Sequence, residues 1–347
     1  MIIRDVTSIG STTRDAFFEV DLPLTEWRDA PSGRALVIPF GEKFGAKDAY
    51  FTIGGNAANA SITFARQGLL TGLFTKIGDD VPGQEVLKTL RKEKVSTKLV
   101  SKSAELPTSY SVLLLKGGER SIITYHGAID EFNLKKVNPK NLRSKWWYVS
   151  LPGNSYKALD NILKYARKSK IKVALNPSFG HLVGDGRRQL LRHLRDISFL
   201  VVNESEAAQL TGIPFKREKE VFEKLDELVP GIVAVTSGRK GVTVSDGRFL
   251  YKAGIFKNKK IIDRTGAGDS FGSGFVAGLI RKRERLTDGF PNPENVEYAI
   301  RLASANATSV VEHLGATEGI LKKSEFDSSP RFRKLKIQRK EIKPNKK

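Results

Sequence analysis

The apolar positions in the second half of the chain repeat with two different periods. Trp146–Ser150 is a short apolar run of the length of a buried strand, whereas Tyr156–Lys168 places its apolar residues at helical spacing. Further strands are predicted at Ile171–Leu175, Phe199–Val202 and Ile232–Thr236, with helical patterns between them. Regular alternation of this kind predicts an α/β fold with a mainly parallel sheet covered by helices on both faces.

Two stretches depart from this alternation and contain short β-type runs. Residues 16–50 hold apolar runs separated by proline and glycine, and residues 107–126 hold two runs joined by Lys116–Arg120, which is typical of a hairpin. We expect the two stretches to pair with each other and to form a small β-sheet that acts as a lid.

The segment Asp263–Phe271 combines a glycine turn with the start of a predicted helix near Asp269. Gly266 and Gly268 allow a sharp turn that leaves backbone N–H groups uncovered, and these groups form an anion site with the positive end of the helix. Asp269 lies in this site, where a carboxylate suits a general base beside a transferring phosphate. The alternative is an ordinary turn with an N-capping aspartate.

Other polar and glycine residues fall at the ends of predicted strands, where ligands bind in open α/β sheets. Gly54 and Gly55 precede an alanine-rich helix that carries Asn59, so the backbone there can approach a ligand closely. Asp15 follows the first predicted strand and could bind a polar ligand. Tight helix packing and a simple turn are the alternative explanations of these residues.

Two further motifs also follow predicted strands. Asn203 and Glu206 open a helix and offer a water-bridged Mg²⁺ site, although a helix capping box explains the same pair. Thr236, Gly238 and Gly241 form a turn that suits a phosphate, although a plain hairpin also explains it.

The composition excludes several classes of protein. The 347 residues are 39% hydrophobic and 28% charged, which is ordinary for a globular domain, and the absence of cysteine excludes disulfides and thiolate catalysis. No apolar run reaches transmembrane length and the N-terminus lacks a signal-peptide pattern. We therefore expect a cytoplasmic protein without membrane contact.

The net charge of +21 is unevenly distributed. Residues 331–347 contain nine Lys or Arg and one Glu, a charge of +8, which leaves +13 for residues 1–330. We interpret residues 1–330 as the folded domain and residues 331–347 as a basic, flexible tail. Weak attraction of this tail to RNA or other polyanions is the alternative, but no zinc-finger spacing or RNA-binding aromatic pattern indicates a specific nucleic-acid partner.

Taken in order, these motifs resemble the ribokinase-like carbohydrate kinase family, often called the PfkB family. Gly54–Asn59 and Asp263–Asp269 match its two hallmark regions, and the resemblance extends from about Val6 to Gly319. It implies a Rossmann-like three-layer α/β/α domain with a central, mostly parallel sheet and a small β-sheet lid. It also implies transfer of the γ-phosphate of ATP to a hydroxymethyl group of a ribose- or fructose-like sugar.

The resemblance implies a role for each matching position. Asp269 would be the general base, and the transferring phosphoryl group would be bound by the N–H groups of Gly266, Ala267 and Gly268. Substrate hydroxyls would be held by Asp15, Gly54, Gly55 and Asn59. The ATP site would be formed by Asn203, Glu206, Thr236, Gly238, Gly241 and Ser304. Glu206 would also order Mg²⁺ through water, and Asp263 and Thr265 match two positions of a K⁺ site found in many family members.

Departures from the family patterns leave the substrate open between ribose, fructose and nucleosides. Ribose-specific members carry an acidic residue in the region that reads Val149–Pro152 here, which has none. An adenosine-like nucleoside kinase is therefore an alternative, with Phe17, Phe18 and Tyr125 able to stack on a base. A non-catalytic sugar or nucleotide sensor is a third hypothesis, although a sensor would not need Asp269. Pairing of two lids would give a homodimer, as is common in the family.

Overall fold

The computed structural model describes residues 3–30, 33–117, 119–132, 139–152, 155–283, 286–287 and 290–342. The described strands are, in chain order, β1 (Arg4–Gly10), β2 (Thr13–Val20), β3 (Leu24–Glu26), β4 (Arg34–Leu36), β5 (Ala46–Gly54), β6 (Thr71–Gly78), β7 (Val100–Ser103), β8 (Tyr110–Lys116), β9 (Glu119–Tyr125), β10 (Ser144–Ser150), β11 (Lys172–Leu175), β12 (Phe199–Asn203), β13 (Ile232–Thr236), β14 (Val242–Ser245), β15 (Phe249–Ala253), β16 (Leu286–Thr287), β17 (Phe290–Pro291) and β18 (Ile337–Glu341). The described α-helices are α1 (Asn56–Arg66), α2 (Val81–Lys92), α3 (Tyr156–Lys168), α4 (Gly184–Leu191), α5 (Glu204–Thr211), α6 (Glu218–Leu228), α7 (Ala267–Arg281), α8 (Pro293–Val310) and α9 (Lys323–Ser328).

The largest sheet runs in the order β18-β15-β14-β13-β12-β11-β10-β1-β6-β7. Its pairs from β7 to β13 are parallel, and β14, β15 and β18 extend it in antiparallel fashion. Strands such as β10 and β12 are buried along most of their length, as a parallel sheet between two helix layers requires. The carboxyl ends of the parallel strands therefore meet at one edge, where ligands bind in folds of this class.

Helices cover both faces of this sheet. On one face, α3 to α6 contribute to an apolar cluster that includes Ile162 and Leu225. On the other face, α1, α7 and α8 contribute to a cluster that includes Phe64 and Phe275. The structure thus confirms the predicted three-layer α/β/α arrangement. None of the helices in the ranges given above is both long enough and apolar enough to cross a membrane.

Helices α7 and α8 pack with their backbones unusually close. A Cβ atom at Gly278 would lie 2.6 Å from the Cα atom of Ala299, and one at Gly274 would lie 3.0 Å from the Cα atom of Ala303. Glycine is required at these positions because any side chain would push the two helices apart. The run of small residues after Asp269 therefore fixes where α7 lies on the sheet.

The two predicted β stretches pair with each other as expected. They form a four-stranded sheet in the order β5-β2-β8-β9, in which β2 is antiparallel to β5 and parallel to β8. The sheet begins slightly earlier and ends slightly later than predicted, since β2 starts at Thr13 and β5 ends at Gly54. The stretch between β2 and β5 also contains the small β3–β4 ribbon.

The basic C-terminal segment is not a flexible tail as far as residue 342, contrary to the prediction. β18 pairs with β15 from Glu341 opposite Phe249 to Ile337 opposite Ala253. Phe332 is buried at 5% exposure, and Ile337 packs against the same apolar cluster as α7 and α8. The prediction was wrong because it weighed the charges and overlooked the apolar residues placed among them. Residues 343–347 lie outside the described part of the chain.

Candidate active site

Helix α7 begins at a glycine turn near the carboxyl edge of the sheet. Gly266 is its N-cap with φ of 75°, and a Cβ atom there would lie 2.6 Å from the Cβ atom of Ala316. Only glycine accepts both this backbone conformation and this contact without strain. The first N–H groups of a helix have no intrahelical partner and carry the positive end of its dipole, so the turn offers an anion site.

Asp269 lies in the first turn of α7 and is 7% exposed. Its Oδ2 accepts a hydrogen bond from Nδ2 of Asn59 at 3.0 Å, and its Oδ1 accepts one from Nδ2 of Asn176 at 3.1 Å. Burial raises the pKa of Asp269 to about 6, although both amides favour the ionised form. The carboxylate is therefore held in one orientation and can exchange a proton close to neutral pH.

Asn176 was not among the residues predicted for the site. This residue directly follows β11, and its N–H group donates to the carbonyl oxygen of Val149 on the neighbouring strand. That bond extends the sheet by one residue and directs the amide towards Asp269. The available signal was a polar residue at the carboxyl end of a buried strand, the same signal that selected Asn203.

Asp269 forms part of the wall of a cavity of about 300 Å³, which we call the hydroxyl-lined cavity. Its polar lining consists mainly of hydroxyl and amide side chains, contributed by Ser11, Thr13, Asn56, Asn59, Ser109, Ser111, Thr124 and Ser178. The sequence-predicted residues Asp15, Gly55, Thr265 and Gly266 also line it. Among its described lining residues none is Lys or Arg. The cavity thus offers many neutral hydrogen-bonding groups and two carboxyl groups.

The carboxyl group of Asp15 is positioned by neighbouring residues on β2 and β5. Its Oδ1 accepts a hydrogen bond from Oγ1 of Thr13 at 2.6 Å, and burial raises the pKa of its carboxyl group. A Cβ atom at Gly54 would lie 2.0 Å from Oδ2 of Asp15. Gly54 therefore makes room for the carboxyl group and is absent from the described lining of the cavity, whereas Gly55 belongs to it.

A second cavity of about 560 Å³, which we call the apolar cavity, lies beside the same turn. The sequence-predicted residues that line it are Asn203, Thr236, Gly238, Gly241 and Ser304. Much of the remaining wall is apolar and comes from Val242, Ile255, Ile261, Phe271 and Val311. This combination suits a ligand with a flat apolar part and a polar part.

Among the residues predicted to bind ATP, only Glu206 is absent from the described lining of the apolar cavity. It forms a capping box with Asn203, in which the Glu206 N–H donates to Asn203 Oδ1 at 2.9 Å and the Asn203 N–H donates to Glu206 Oε2 at 2.8 Å. The capping alternative thus describes this pair correctly. Burial raises the pKa of Glu206, and its bonds with Asn203 oppose that rise.

The two cavities meet at the N-terminus of α7. Arg264, Ala267 and Gly268 line the apolar cavity, whereas Thr265, Gly266 and Asp269 line the hydroxyl-lined cavity. A group bound at the helix N-terminus is therefore accessible from both sides, and Asp269 faces it from the hydroxyl-lined side.

Residues 32–323 match a known family, described as pfkB family carbohydrate kinase. The chain belongs to this family. It is similar to the ribokinase of Haemophilus influenzae, with 26% identity over 294 residues that cover 82% of this chain and 89% of the relative. It is also similar to the cytidine kinase of Thermococcus kodakarensis, with 28% identity over 290 residues that cover 82% of this chain and 92% of that relative.

The fold of this PfkB-family kinase matches that of a solved ribokinase. The structure of Arabidopsis thaliana ribokinase complexed with ribose and ATP superposes with a TM-score of 0.77 and 22% identity, covering 96% of this chain and 99% of that chain. Membership of the family makes the protein an ATP-dependent phosphotransferase that acts on a carbohydrate. The family predicted from the motifs is thereby confirmed.

Asp263, one of the two residues matched to a K⁺ site, is hydrogen-bonded at both carboxylate oxygens. Its Oδ1 accepts hydrogen bonds from N and Oγ1 of Thr265 at 2.9 and 2.6 Å, and its Oδ2 accepts one from the N–H of Gly315 at 3.2 Å. Nη1 of Arg120 lies 3.7 Å from the same carboxylate. Within the described residues, no cluster of three or more acidic or histidine side chains could hold a metal ion. Binding of K⁺ at Asp263 and Thr265, and activation by it, stay predictions.

The three aromatic residues suggested for base stacking are not part of the hydroxyl-lined cavity as described. Phe17 is buried in the small sheet at 1% exposure, and Phe18 packs edge-on against Phe51. Tyr125 lies on β9 and is 49% exposed. Phe17 lies on the same face of β2 as the cavity residues Thr13 and Asp15 but is not among the described lining residues, and stacking of these aromatic side chains on a base stays a prediction.

Replacement of Asn176 by Ala should raise the pKa of Asp269 above about 6. The substitution removes a hydrogen bond that favours the ionised carboxylate, so the protonated form gains relative stability. The measurement is a pH titration of the carboxyl carbon by NMR in ¹³C-aspartate-labelled protein. Asn56→Ala is the matched control, because Asn56 lines the same cavity but bonds to Ser150. An unchanged Asp269 pKa in Asn176→Ala would contradict the prediction.

Proposed function

We propose that this kinase transfers the γ-phosphoryl group of ATP to a hydroxymethyl group of a small neutral sugar, with Asp269 as the general base. One observation carries the proposal: the N-terminal turn of α7 lines both cavities, with a carboxylate on one side and residues of the helix N-terminus on the other. Phosphoryl transfer needs mainly positioning and neutralisation of charge, and this turn supplies both.

The sugar occupies the hydroxyl-lined cavity in this proposal. Asp15, Gly55 and Asn59 hold its hydroxyl groups. Asn59 is suited to this role, because its Nδ2 is bonded to Asp269 while its buried Oδ1 has no partner among the described residues and can accept from a hydroxyl. A sugar phosphate or sugar acid would meet the carboxyl groups of Asp15 and Asp269 without a Lys or Arg in the described lining, so a ribose- or fructose-like neutral sugar is favoured.

ATP occupies the apolar cavity, with its base against the apolar wall and its phosphates towards α7. The N–H groups of Gly266, Ala267 and Gly268 bind the transferring phosphoryl group, and the remaining contacts come from Asn203, Thr236, Gly238, Gly241 and Ser304. Bound Mg²⁺ would neutralise phosphate charge. Glu206 would hold it through water, which suits an ion that retains most of its hydration shell.

The small sheet acts as a lid over the acceptor. Ile122, Thr124 and His126 of β9 and the following turn line the hydroxyl-lined cavity. The β8–β9 hairpin also contacts the residues before the α7 turn, since Arg264 lies 3.5 Å from Glu119. A closed lid keeps water away from the phosphoryl group, which would otherwise be hydrolysed.

Replacement of Asp269 by Asn should lower kcat by a factor of about 10²–10⁴, the usual contribution of a general base. The substitution keeps the shape of the side chain but removes the proton acceptor, so binding of ADP should be retained. The wild-type kcat/KM should also fall as pH drops below about 6, where Asp269 becomes protonated. Surface Asp79→Asn is the control, and near-normal turnover by Asp269→Asn would refute the assignment.

The substrate class is tested by ADP release from ATP and Mg²⁺ over a panel of acceptors. Neutral pentoses and hexoses should give turnover, whereas sugar phosphates and sugar acids of the same size should give at least about tenfold less, because each adds an unpaired charge to the cavity. A preferred sugar phosphate or sugar acid would contradict the neutral-sugar assignment while leaving the kinase assignment intact.

A nucleoside kinase is the second candidate, since the chain is similar to a cytidine kinase. No Phe, Tyr or Trp side chain appears in the described lining of the hydroxyl-lined cavity, which weakens this alternative. Cytidine and adenosine belong in the acceptor panel for this reason.

Three further expectations stay predictions: a cytoplasmic location, the absence of a specific nucleic-acid partner and the absence of a sensor role.

We further propose a homodimer formed through the small sheet. β9 is an edge strand of this sheet, and its Ile122, Ile123 and Tyr125 side chains are exposed. An unpaired apolar edge of this kind is usually covered.

Light scattering should give twice the mass of the chain, and Ile123→Lys should convert the dimer to a monomer. Val81→Lys, at a similarly exposed valine on α2, is the control. A monomeric wild type would refute the dimer.

A further inference from the structure

One wall of the apolar cavity is formed by the chain between β15 and α7. Ile255, Asn258 and Ile261 line the cavity from residues 254–262, which belong to no strand or helix. We call these residues the nucleotide loop. An irregular segment has no ladder of backbone hydrogen bonds to hold it, so its position depends on contacts with its surroundings.

The C-terminal segment supplies polar contacts to this loop. Nη2 of Arg331 donates to the carbonyl oxygen of Lys257 at 2.6 Å and to Oε1 of Glu312 at 2.5 Å, and its Nη1 donates to Oε2 of Glu312 at 2.9 Å. The same Glu312 carboxylate accepts from the N–H of Lys259 at 2.6 Å. One ion pair therefore joins the C-terminal segment, the residues after α8 and the nucleotide loop.

The Arg331–Glu312 pair is ionised at neutral pH. Burial acts against the charge of Glu312, but the guanidinium of Arg331 and the N–H of Lys259 together hold the pKa of that carboxyl group below its usual value. The Glu312 side chain is 9% exposed and that of Arg331 is 26% exposed, so water weakens the pair less than it would at the surface.

An aromatic contact holds the loop at a neighbouring residue. The rings of Phe332 and Phe256 pack edge to face with centroids 5.1 Å apart, and both side chains are 5% exposed. Arg301 on α8 donates to the carbonyl oxygens of Phe332 and Arg333 at 2.9 and 3.0 Å. Residues 330–333, which we call the brace, are thus fixed to α8 and contact the loop from there.

Between the contacts of Lys257 and Lys259, the loop places a polar side chain in the wall of the cavity. Oδ1 of Asn258 is buried and has no hydrogen-bond partner among the described residues. A buried amide without a partner is costly unless a ligand completes it. Beyond it, the N–H of Ile262 donates to the carbonyl oxygen of Val311 at 2.8 Å. The loop is therefore held on both sides of Asn258.

We propose that the brace orders the nucleotide loop and thereby sets the affinity of the kinase for its nucleotide, with Arg331 as a positioning residue. This inference rests on the assignment of the apolar cavity to ATP made above. A loop that is already ordered loses little conformational freedom when the nucleotide binds, whereas a released loop must be ordered at that step. The basic C-terminal segment accordingly serves the nucleotide site of its own domain.

The test is direct binding of ADP with Mg²⁺, measured by calorimetry, because it needs no acceptor sugar. Arg331→Gln should weaken ADP binding by roughly 5- to 30-fold, because ordering of the released loop then opposes binding. Arg339→Gln is the matched control: it removes the same charge from the same segment and breaks an ion pair with Glu297 of α8 at 3.1 Å. It should change ADP affinity by less than about twofold, because Arg339 lies on β18 and not on the brace.

A second variant and a kinetic measurement separate positioning from general stability. Glu312→Gln should weaken ADP binding to a similar degree, and Arg331→Gln should then add little in that background, since both act through one ion pair. The KM for ATP should rise while kcat at saturating ATP stays within about twofold. Unchanged ADP affinity in Arg331→Gln, or an equal loss in Arg339→Gln, would overturn the inference. Failure of the wild type to bind ADP would instead refute the nucleotide assignment, and the inference with it.

Discussion

The burial of a carboxylate in the first turn of α7 is the constraint on which the rest of the site depends. Asp269 is 7% exposed, and a charge in that environment is stable only when other groups replace its lost water. Two amides do so from separate elements, Asn59 from α1 and Asn176 from the end of β11. The positions of α1, β11 and α7 are therefore coupled to one another through a single side chain.

The same constraint explains the close packing behind the site. Asp269 can reach both amides only if α7 lies deep on the sheet, and glycines such as Gly278 permit this against α8. Gly266 then turns the chain so that its neighbours are divided between the two cavities. The geometry of the candidate site and the packing of the core are thus properties of one helix, so a substitution in one will affect the other.

The positive net charge of the chain is not reflected in the lining of the hydroxyl-lined cavity. The chain carries a net charge of +21, yet the described lining of the hydroxyl-lined cavity has carboxyl groups and no Lys or Arg. Basic side chains act elsewhere in the fold, as Arg331 does beside the nucleotide loop. The net charge of the chain therefore does not predict the charge of the ligand, because a ligand interacts most strongly with the groups that contact it.

The sequence by itself determined the α/β class, the pairing of the two β stretches and the family. These properties follow from local periodicity and from glycine turns whose residues are adjacent in the chain. It also placed Asp269, Asp15, Gly55 and Asn59 at one cavity, since strand ends and helix starts converge at the carboxyl edge of a parallel sheet. Only the tertiary structure decided the role of Asn176, which lies 93 residues from Asp269 along the chain. It likewise decided the place of the C-terminal segment, because the apolar contacts of Phe332 and Ile337 are made with residues far away in the chain, and their strength depends on a surface that the local pattern of charges does not reveal.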